Sequence, residues 1–239
     1  MKFLLTFDVE PYASAQTLDS YTHLTTFSKV IRKLVKRDIP VVLFVCGIVA
    51  AKYGELLLDC IDRAEIGVHT HPTLHAEKYR GKINIVSDKL KDYAFSEQVE
   101  LIRNDLEAIA KNFGVNPRCF RAGKLAANDA TLEAIKALKM NVDSSLYLPY
   151  IFKPKAILRK PWISFTYNGV IRIPIMSYDD ELVRPIFEIK KLVASFSSAD
   201  SIGCLLLHSW VPSLEKIIDK LSSKNFVSVD EVLRKVTQT

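Results

Sequence analysis

The hydrophobic pattern of this chain alternates between apolar runs of strand length and stretches whose apolar residues recur at helical spacing. FLLTF, PVVLFV and IGCLLLH are typical of buried strands, whereas residues 22–37 place apolar side chains on one face of a helix. Further strands are predicted at 65–69, 118–121 and 140–144, a hairpin at 165–173 with its turn at Asn168 and Gly169, and further helices at 50–61, 96–113, 128–138, 185–196, from 212 and after 228. This alternation predicts a parallel sheet, arranged as an open doubly wound sheet or as a (β/α) barrel.

Three residues are predicted to mark helix ends. Ser96 and Asn128 are predicted N-caps, because their side chains can accept hydrogen bonds from the free N–H groups of a first turn. Gly114 is predicted to end the helix that begins at Ser96. No repeat, low-complexity tract or linker divides the 239 residues, so a single domain over residues 1–239 is expected.

Composition narrows the class of protein. Hydrophobic residues make up 49% of the chain, but no apolar run reaches the ~20 residues that a bilayer span needs, so no transmembrane helix is predicted. Lys2 and a strand-like run follow Met1 directly, in place of a secretory signal, and the chain is therefore expected in the cytoplasm. The four cysteines lack CxxC spacing and stand in apolar surroundings, which favours buried thiols over disulfides or a zinc ribbon.

The positive charge bears on the partner. A net charge of +6 and a pI near 9.0 are compatible with an acidic partner. Lysine and arginine nevertheless occur singly among acidic residues, as in RNDLEAIAKNF, and no basic run is interleaved with aromatic residues. This distribution argues against nucleic-acid binding and is more compatible with an anionic small substrate.

Ionisable residues collect where the predicted strands end. They are Asp8 and Glu10 after the first strand and, after later strands, His69, His71, His75, Arg121, Asp143 and His208. Each of these side chains alone can be a helix cap, a loop residue or half of a structural ion pair. Because the carboxyl ends of parallel strands meet at one pole, however, four of the five histidines and two acids are expected there together, where no glycine-rich phosphate motif competes.

This set of residues can hold a metal ion. Two imidazoles and one carboxylate bind Zn²⁺, Fe²⁺, Co²⁺ or Ni²⁺ and leave positions open for water and substrate. Asp8 and Glu10 are two residues apart and can face the same side of an extended chain, so one can bind metal while the other accepts a proton. The spacing leaves three ligand pairs open, namely His69 with His71, His71 with His75, and His69 with His75.

The chain resembles the NodB-type polysaccharide deacetylases, carbohydrate esterase family four, in the order and spacing of five segments. These are LTFDVE, EIGVHTHPTLH, FRAGKLAANDATLEAI, VDSS and LLLHSW, which extend over residues 4–210. The resemblance implies a distorted (β/α) barrel of about seven strands and a divalent-metal hydrolase that removes N-acetyl groups from amino sugars. Zinc is the implied metal ion, with cobalt, nickel, iron or manganese as alternatives.

The resemblance also implies roles for individual residues. Asp8 is expected to be the catalytic base, Arg121 the group that orients it, and His208 the general acid. Strand alternation directs His208 into the barrel mouth, where we expect it across from the first strand. Asp143 is expected to fix the tautomer of His208. The expected metal ligands are Glu10 and two of His69, His71 and His75.

Two features depart from the usual motifs. The first motif usually has adjacent aspartates, whereas Val9 separates Asp8 from Glu10 here. The second usually places its histidines four residues apart, whereas Thr73 stands four residues after His69. If these changes abolish metal binding, a metal-independent hydrolase of cyclic ureides or imides is the alternative. A non-catalytic member that only binds glycan is another.

The expected substrate is a carbohydrate or amino sugar. In the cytoplasm a precursor glycan, anionic or lipid-linked, fits better than a wall polymer, and the positive charge agrees with this. Trp210 and Tyr147 are expected to bind substrate, because aromatic faces can stack on a sugar ring. Other aromatic residues between 146 and 167 have the same potential, or else cover the barrel mouth with a hairpin.

Overall fold

Nine strands in the described part of the chain form one curled sheet with helices on its outer side. The computed structural model describes residues 2–11, 20–147, 165–177, 202–211, 214–219, 221 and 226–237. The strands are β1 (Lys2–Val9), β2 (Val41–Cys46), β3 (Glu65–Thr70), β4 (Cys119–Ala122), β5 (Val142–Asp143), β6 (Phe165–Tyr167), β7 (Val170–Arg172), β8 (Ile175–Ser177) and β9 (Ile202–His208). The helices are α1 (Ser20–Lys36), α2 (Gly47–Tyr53), α3 (Leu58–Ile61), α4 (Phe95–Phe113), α5 (Asp129–Ala137), α6 (Leu214–Ile218) and α7 (Val229–Thr237).

The order of the strands shows how the sheet curls into a barrel. The order is β6-β7-β5-β4-β3-β2-β1-β9-β8, and all of the pairings except β6 with β7 are parallel. Residues 170–177 first pair with β5 as β7 and then with β9 as β8. Ile175 also bridges Tyr147, just beyond β5, so β8 at one end of the sheet contacts the segment that follows β5 near the other end. With β7 and β8 counted as one strand and the antiparallel β6 left out, seven parallel strands form the distorted (β/α) barrel that was predicted.

Strand alternation divides the apolar side chains into two layers. Leu4, Phe44 and Cys204 belong to a cluster inside the barrel, where Gly67 makes room for the ring of Phe44. The alternate residues of each strand pack against the helices in a larger cluster that includes Phe7. The polar side chains at the strand ends therefore project from the inner face into the barrel mouth.

Most predicted elements are confirmed, with two local corrections. Asn128 caps α5, and the hairpin turns at Asn168 and Gly169, which have φ angles of 51° and 77°. Ser96 is not an N-cap, because α4 begins one residue earlier and the carboxylate of Glu97 accepts the Ala94 N–H at 2.9 Å.

The helix predicted at 50–61 is instead α2, a 3-10 turn at Gly54–Leu56 and α3. The chain leaves helical geometry at Tyr53 (φ −135°), next to a glycine, which has low helix propensity. The helix predicted at 185–196 lies outside the described residues.

Two further predictions, on the cysteines and on membrane-spanning helices, came from the composition of the chain. The four cysteines are free and buried, as predicted. Among the helices that the structure describes, none combines the length and the apolar character needed to cross a bilayer.

Candidate active site

Polar side chains from four strands meet at the barrel mouth. Asp8 ends the inner face of β1, and its in-register neighbours include His208 on β9. On β3 and β4, His69 and Arg121 are likewise in register with each other. Glu10 directly follows β1 and lies beside these groups. Asp8, Glu10, His69, Arg121 and His208, five of the residues predicted to converge, thus lie together at the barrel mouth.

Glu10, His69 and His71 form the candidate metal cluster. Their potential ligand atoms all lie within 4.8 Å of one another. The Nε2 atoms of the two histidines are 3.1 Å apart, and Oε2 of Glu10 lies 2.9 Å from Nε2 of His71 and 3.7 Å from that of His69. Of the three histidine pairs left open by the sequence, the structure brings this one together with Glu10.

The remaining polar atom of each cluster residue makes a hydrogen bond. The Nδ1–H of His69 donates to the carbonyl of Arg121 at 2.9 Å. The Nδ1–H of His71 donates to Asp88 at 2.8 Å, and the indole N–H of Trp210 donates to Oε1 of Glu10 at 3.1 Å. These bonds place the proton of the neutral imidazole on Nδ1, so that in its neutral form each histidine can present the lone pair of Nε2 to a metal ion.

The mutual proximity of these groups shifts their pKa values. Burial alone raises the pKa of Glu10, but hydrogen bonds and charge from His69 and His71 outweigh it and hold the pKa well below its usual range. Burial alone lowers the pKa of His71, but Asp88 and Glu10 raise it to about 9. The pKa of Asp88 is lowered, because the bonds to His71 and Thr73 outweigh burial. Two carboxylates therefore stand beside His71, and its imidazole must give up the Nε2 proton in order to bind a metal ion.

Asp8 lies beside the cluster and is held by a buried arginine. Nη1 of Arg121 donates to Oδ1 of Asp8 at 2.5 Å, and Oδ2 of Asp8 lies 3.6 Å from Nε2 of His69. Arg121 is fully buried and donates further bonds to Thr6 and Ser144. Its guanidinium also stacks over the ring of Phe44 at 4.0 Å. The position of the Asp8 carboxylate is therefore fixed from inside the barrel.

His208 lies next to Asp8 rather than across the barrel mouth from it. The expected opposition is wrong, because β9 pairs directly with β1 and places His208 in register with Asp8. The His208 ring stacks on Trp210 with a centroid distance of 4.8 Å, and its Nε2 is 3.9 Å from Oε1 of Glu10. Its side chain is 23% exposed, so it borders the open part of the site.

The expectation that Asp143 pairs with His208 is corrected by the contacts of its carboxylate. Oδ2 accepts from Nε of Arg172 at 3.0 Å and forms an ion pair with Nη2, also at 3.0 Å, while Oδ1 accepts from the N–H and hydroxyl of Ser145. Burial raises the pKa of Asp143, against the effect of Arg172 and Ser145. Strand alternation explains the difference, because Val142 and Ser144 take the inner face and turn Asp143 away from it.

His75 does not join the cluster. It lies in the 3-10 turn Pro72–His75, where its Nε2 is 3.1 Å from Oδ2 of Asp105 and its Nδ1 is 2.8 Å from the amide of Asn104. The same Asp105 accepts the Gly47 N–H at 2.7 Å. His75 thus ties the loop after β3 to α4 and to the start of α2.

A pocket of about 990 Å³ opens above the cluster and Asp8. It is lined by Asp8 and His208, the candidate base and acid, and by Tyr147, Trp210, Lys124 and Arg172. Tyr147 and Trp210 therefore lie where substrate binding was predicted, although Trp210 also bonds to Glu10. The aromatic residues between 148 and 164 that were considered for the same role lie outside the described residues.

Sequence reasoning missed Asp88, Thr6 and Ser144. Thr6 lies two residues before Asp8, and Ser144 lies two residues after Val142. Strand alternation therefore places both side chains on the inner face. Asp88 carries no such signal, because it stands in an irregular connection between β3 and α4, and its contact with His71 depends on how that connection folds.

The fold is a distorted (β/α) barrel, and two histidines and a carboxylate lie together at the carboxyl ends of its strands. The sequence profile described as "Polysaccharide deacetylase" matches residues 2–142, more than half of the chain. The chain therefore belongs to the polysaccharide deacetylase family, a class of hydrolases. A search of curated proteins gives no match.

Solved structures agree with this family in fold. The peptidoglycan deacetylase PdaC from Bacillus subtilis is 18% identical, with a TM-score of 0.58 over 99% of this chain and 92% of that one. A Mycobacterium smegmatis protein assigned to the polysaccharide deacetylases is 16% identical, with a TM-score of 0.70 over 99% and 90%. A family 4 carbohydrate esterase from Streptomyces lividans, solved with acetate, is 14% identical, with a TM-score of 0.55 over 95% and 91%.

Proposed function

We propose that this chain is a divalent-metal-dependent hydrolase that removes N-acetyl groups from an amino sugar or glycan precursor. The observation that carries the proposal is the convergence of Glu10, His69 and His71, with Asp8 directly beside them. The deacetylase family supplies the reaction class, and this donor set supports the metal dependence.

The donor set fits a divalent transition metal. One carboxylate oxygen and two imidazole nitrogens suit Zn²⁺ best, and they also suit Co²⁺, Ni²⁺, Fe²⁺ or Mn²⁺. Both Nε2 atoms are oriented by hydrogen bonds at Nδ1, which is how metal-binding histidines are usually held. Glu10 in place of an aspartate has the reach to approach both rings.

Asp8 is the proposed general base. When bound, a divalent cation lowers the pKa of a coordinated water and polarises the acetyl carbonyl. Asp8 then accepts the proton of the attacking water through Oδ2, the oxygen that faces His69, while Arg121 holds Oδ1. A carboxylate fixed in this way loses little conformational freedom when the reaction begins.

His208 is the proposed general acid. The amine that leaves an amide must be protonated, and a histidine can donate that proton near neutral pH. His208 borders the pocket beside Asp8, and its ring is held against Trp210. Asp8 and His208 thus stand at neighbouring positions of one rim, so the acetyl group must lie over both strands.

The pocket supports an anionic carbohydrate substrate. Tyr147 offers an aromatic face for a sugar ring, and Lys124 adds positive charge to the lining, whereas the charge of Arg172 is paired with Asp143. A phosphate-linked amino sugar, nucleotide-linked or lipid-linked, matches this lining, in keeping with the cytoplasmic location expected from the sequence.

Metal analysis combined with an amine-release assay tests the proposal. Purified protein should contain about one divalent ion per chain, should release amine from an N-acetylated amino sugar, and should lose that activity on chelation and regain it with Zn²⁺. Full activity of the metal-free protein would overturn the proposal. Hydrolysis of a cyclic imide by metal-free protein would favour the ureide and imide alternative.

A further inference from the structure

We propose that Asp88 is a positioning residue that fixes the ring of His71 for metal binding. The inference rests on the proposed role of His71 as a ligand and adds a residue outside the strands and their motifs. Asp88 belongs to the connection between β3 and α4, and its side chain is 24% exposed.

Both oxygens of Asp88 are committed to one short segment. Oδ2 accepts the Nδ1–H of His71 at 2.8 Å. Oδ1 accepts the hydroxyl of Thr73 at 2.5 Å and its N–H at 3.3 Å. A carboxylate held at both oxygens cannot rotate away from the imidazole without breaking another bond. Asp88 therefore sets the direction of the His71 ring as well as its tautomer.

The other sides of the His71 ring are also enclosed. A Cβ on Gly123 would lie 2.6 Å from Nδ1 and 2.7 Å from Cγ of His71, so the turn after β4 packs closely against the ring. The ring of His69 meets that of His71 edge to face, with centroids 4.8 Å apart and an interplanar angle of 84°. Nε2 is then left to face Glu10, as a metal ligand requires.

The ring of His71 is held by a hydrogen bond to a side chain, whereas the ring of His69 is held by a hydrogen bond to the backbone. The bond from His69 ends on the carbonyl of Arg121, inside the sheet. The bond from His71 ends on a carboxylate, whose negative charge makes Nε2 a stronger donor to a cation. Substituting Asp88 should consequently change the metal affinity while the barrel itself stays intact.

The test measures metal binding by the whole chain, with Co²⁺ and Zn²⁺ as probes. Apoprotein is titrated against a competing chelator, and the visible spectrum of the Co²⁺ form reports the coordination. Asp88→Ala should weaken Zn²⁺ binding by about 10- to 100-fold, the usual effect of losing such a partner. Asp88→Asn should weaken it less, since an amide oxygen can still accept from Nδ1 but carries no charge. Both variants should also shift the Co²⁺ spectrum.

Asp92→Asn is the matched control. Asp92 lies in the same connection and bonds to the hydroxyl of Ser87, so its substitution should leave metal affinity unchanged. Wild-type affinity and an unshifted Co²⁺ spectrum in Asp88→Ala would overturn the inference and leave the proposed function standing. If Asp88→Ala does not fold, Asp88→Asn decides on the same criteria. Failure of the wild-type chain to bind either ion would overturn the proposed function and this inference together.

Discussion

At the scale of single residues, Trp210 makes a contact with Glu10 that the sequence did not predict. It lines the pocket, stacks on His208 and donates its indole N–H to Oε1 of Glu10. That bond leaves Oε2 of Glu10 to face His69 and His71. Trp210 therefore orients the proposed metal ligand as well as bordering the substrate space.

Trp210→Phe separates these two roles, because it keeps an aromatic ring beside the pocket and removes the indole N–H together with the five-membered ring. We expect metal affinity to fall by about tenfold, the order of one hydrogen bond to a charged acceptor. Competition titration with Zn²⁺ measures this. A variant with unchanged metal affinity and a raised KM would show that Trp210 acts on substrate alone.

Asp8 and Glu10 are predicted to differ in function although they are two residues apart. Asp8→Asn should keep its metal and lower kcat by about 10²-fold or more, as loss of a general base does. Glu10→Gln should lose metal first, because Glu10 contacts both histidines. Metal content and kcat of the two variants check this, and the reverse pattern would exchange the two roles.

The sequence was sufficient to place most of the site, because strand alternation determines which residues share a face. Asp8 and His69 project from the inner face as that rule requires. The same rule places Ser144, and not Asp143, on the inner face. Asp143 was predicted to contact His208 because its side chain is acidic, and that prediction was wrong. His75 was beyond the rule, since its contact with Asp105 depends on a loop and a distant helix.

At the scale of elements, the loop after β3 is fixed to its helical surroundings by a buried polar pair. Asp105 on α4 accepts a hydrogen bond from the N–H of Gly47 and faces His75. The side chains of Asp105 and His75 are at most 5% exposed. Three elements, the loop, α2 and α4, therefore share one carboxylate. Such buried groups are costly to leave without a partner.

His75→Ala is predicted to affect stability and to spare metal binding. Removing the imidazole leaves Asp105 with one partner fewer, so the free energy of unfolding should fall by about 1–3 kcal/mol. Urea denaturation measures this loss, and Zn²⁺ titration of the folded variant should match the wild type. Glu107→Ala, at an exposed position of α4, is the control and should change stability by less than about 0.5 kcal/mol. Loss of metal from His75→Ala would return this histidine to the ligand set.

At the scale of the whole molecule, the sequence predicted most of the strands, but it predicted neither β8, which lies beyond the hairpin predicted at 165–173, nor how the sheet closes. Residues 170–177 have the same apolar alternation as any strand, and nothing in it specifies pairing with β5 at one end and β9 at the other. Closure depends on contacts distant in sequence, such as that of Ile175 with Tyr147. The barrel was predicted from the family motifs, because periodicity alone also allowed an open sheet. That residues 1–239 form one domain stays a prediction.

The proposed ion would link parts of the barrel that are not neighbours. Glu10 follows β1, while His69 lies near the end of β3 and His71 directly follows it, with β2 between the two strands. A ligand that binds only the folded chain stabilises it by mass action, by about 2.7 kcal/mol at a free concentration 100 times Kd. For a chain of this size that corresponds to a rise in Tm of about 5–10 °C. Thermal unfolding with and without a chelator measures the difference.

The histidine variants determine where this stabilisation originates. His69→Ala combined with His71→Ala should unfold at one temperature whether or not Zn²⁺ is present, since only Glu10 of the three ligands remains. His75→Ala should start from a lower Tm and still gain the full increment from Zn²⁺, because its ring faces Asp105 and Asn104 rather than the cluster. If the double variant kept the increment, the ion would be bound elsewhere. If His75→Ala lost it, the cluster would extend along the loop after β3, and the geometry around Glu10 would be only part of the metal site.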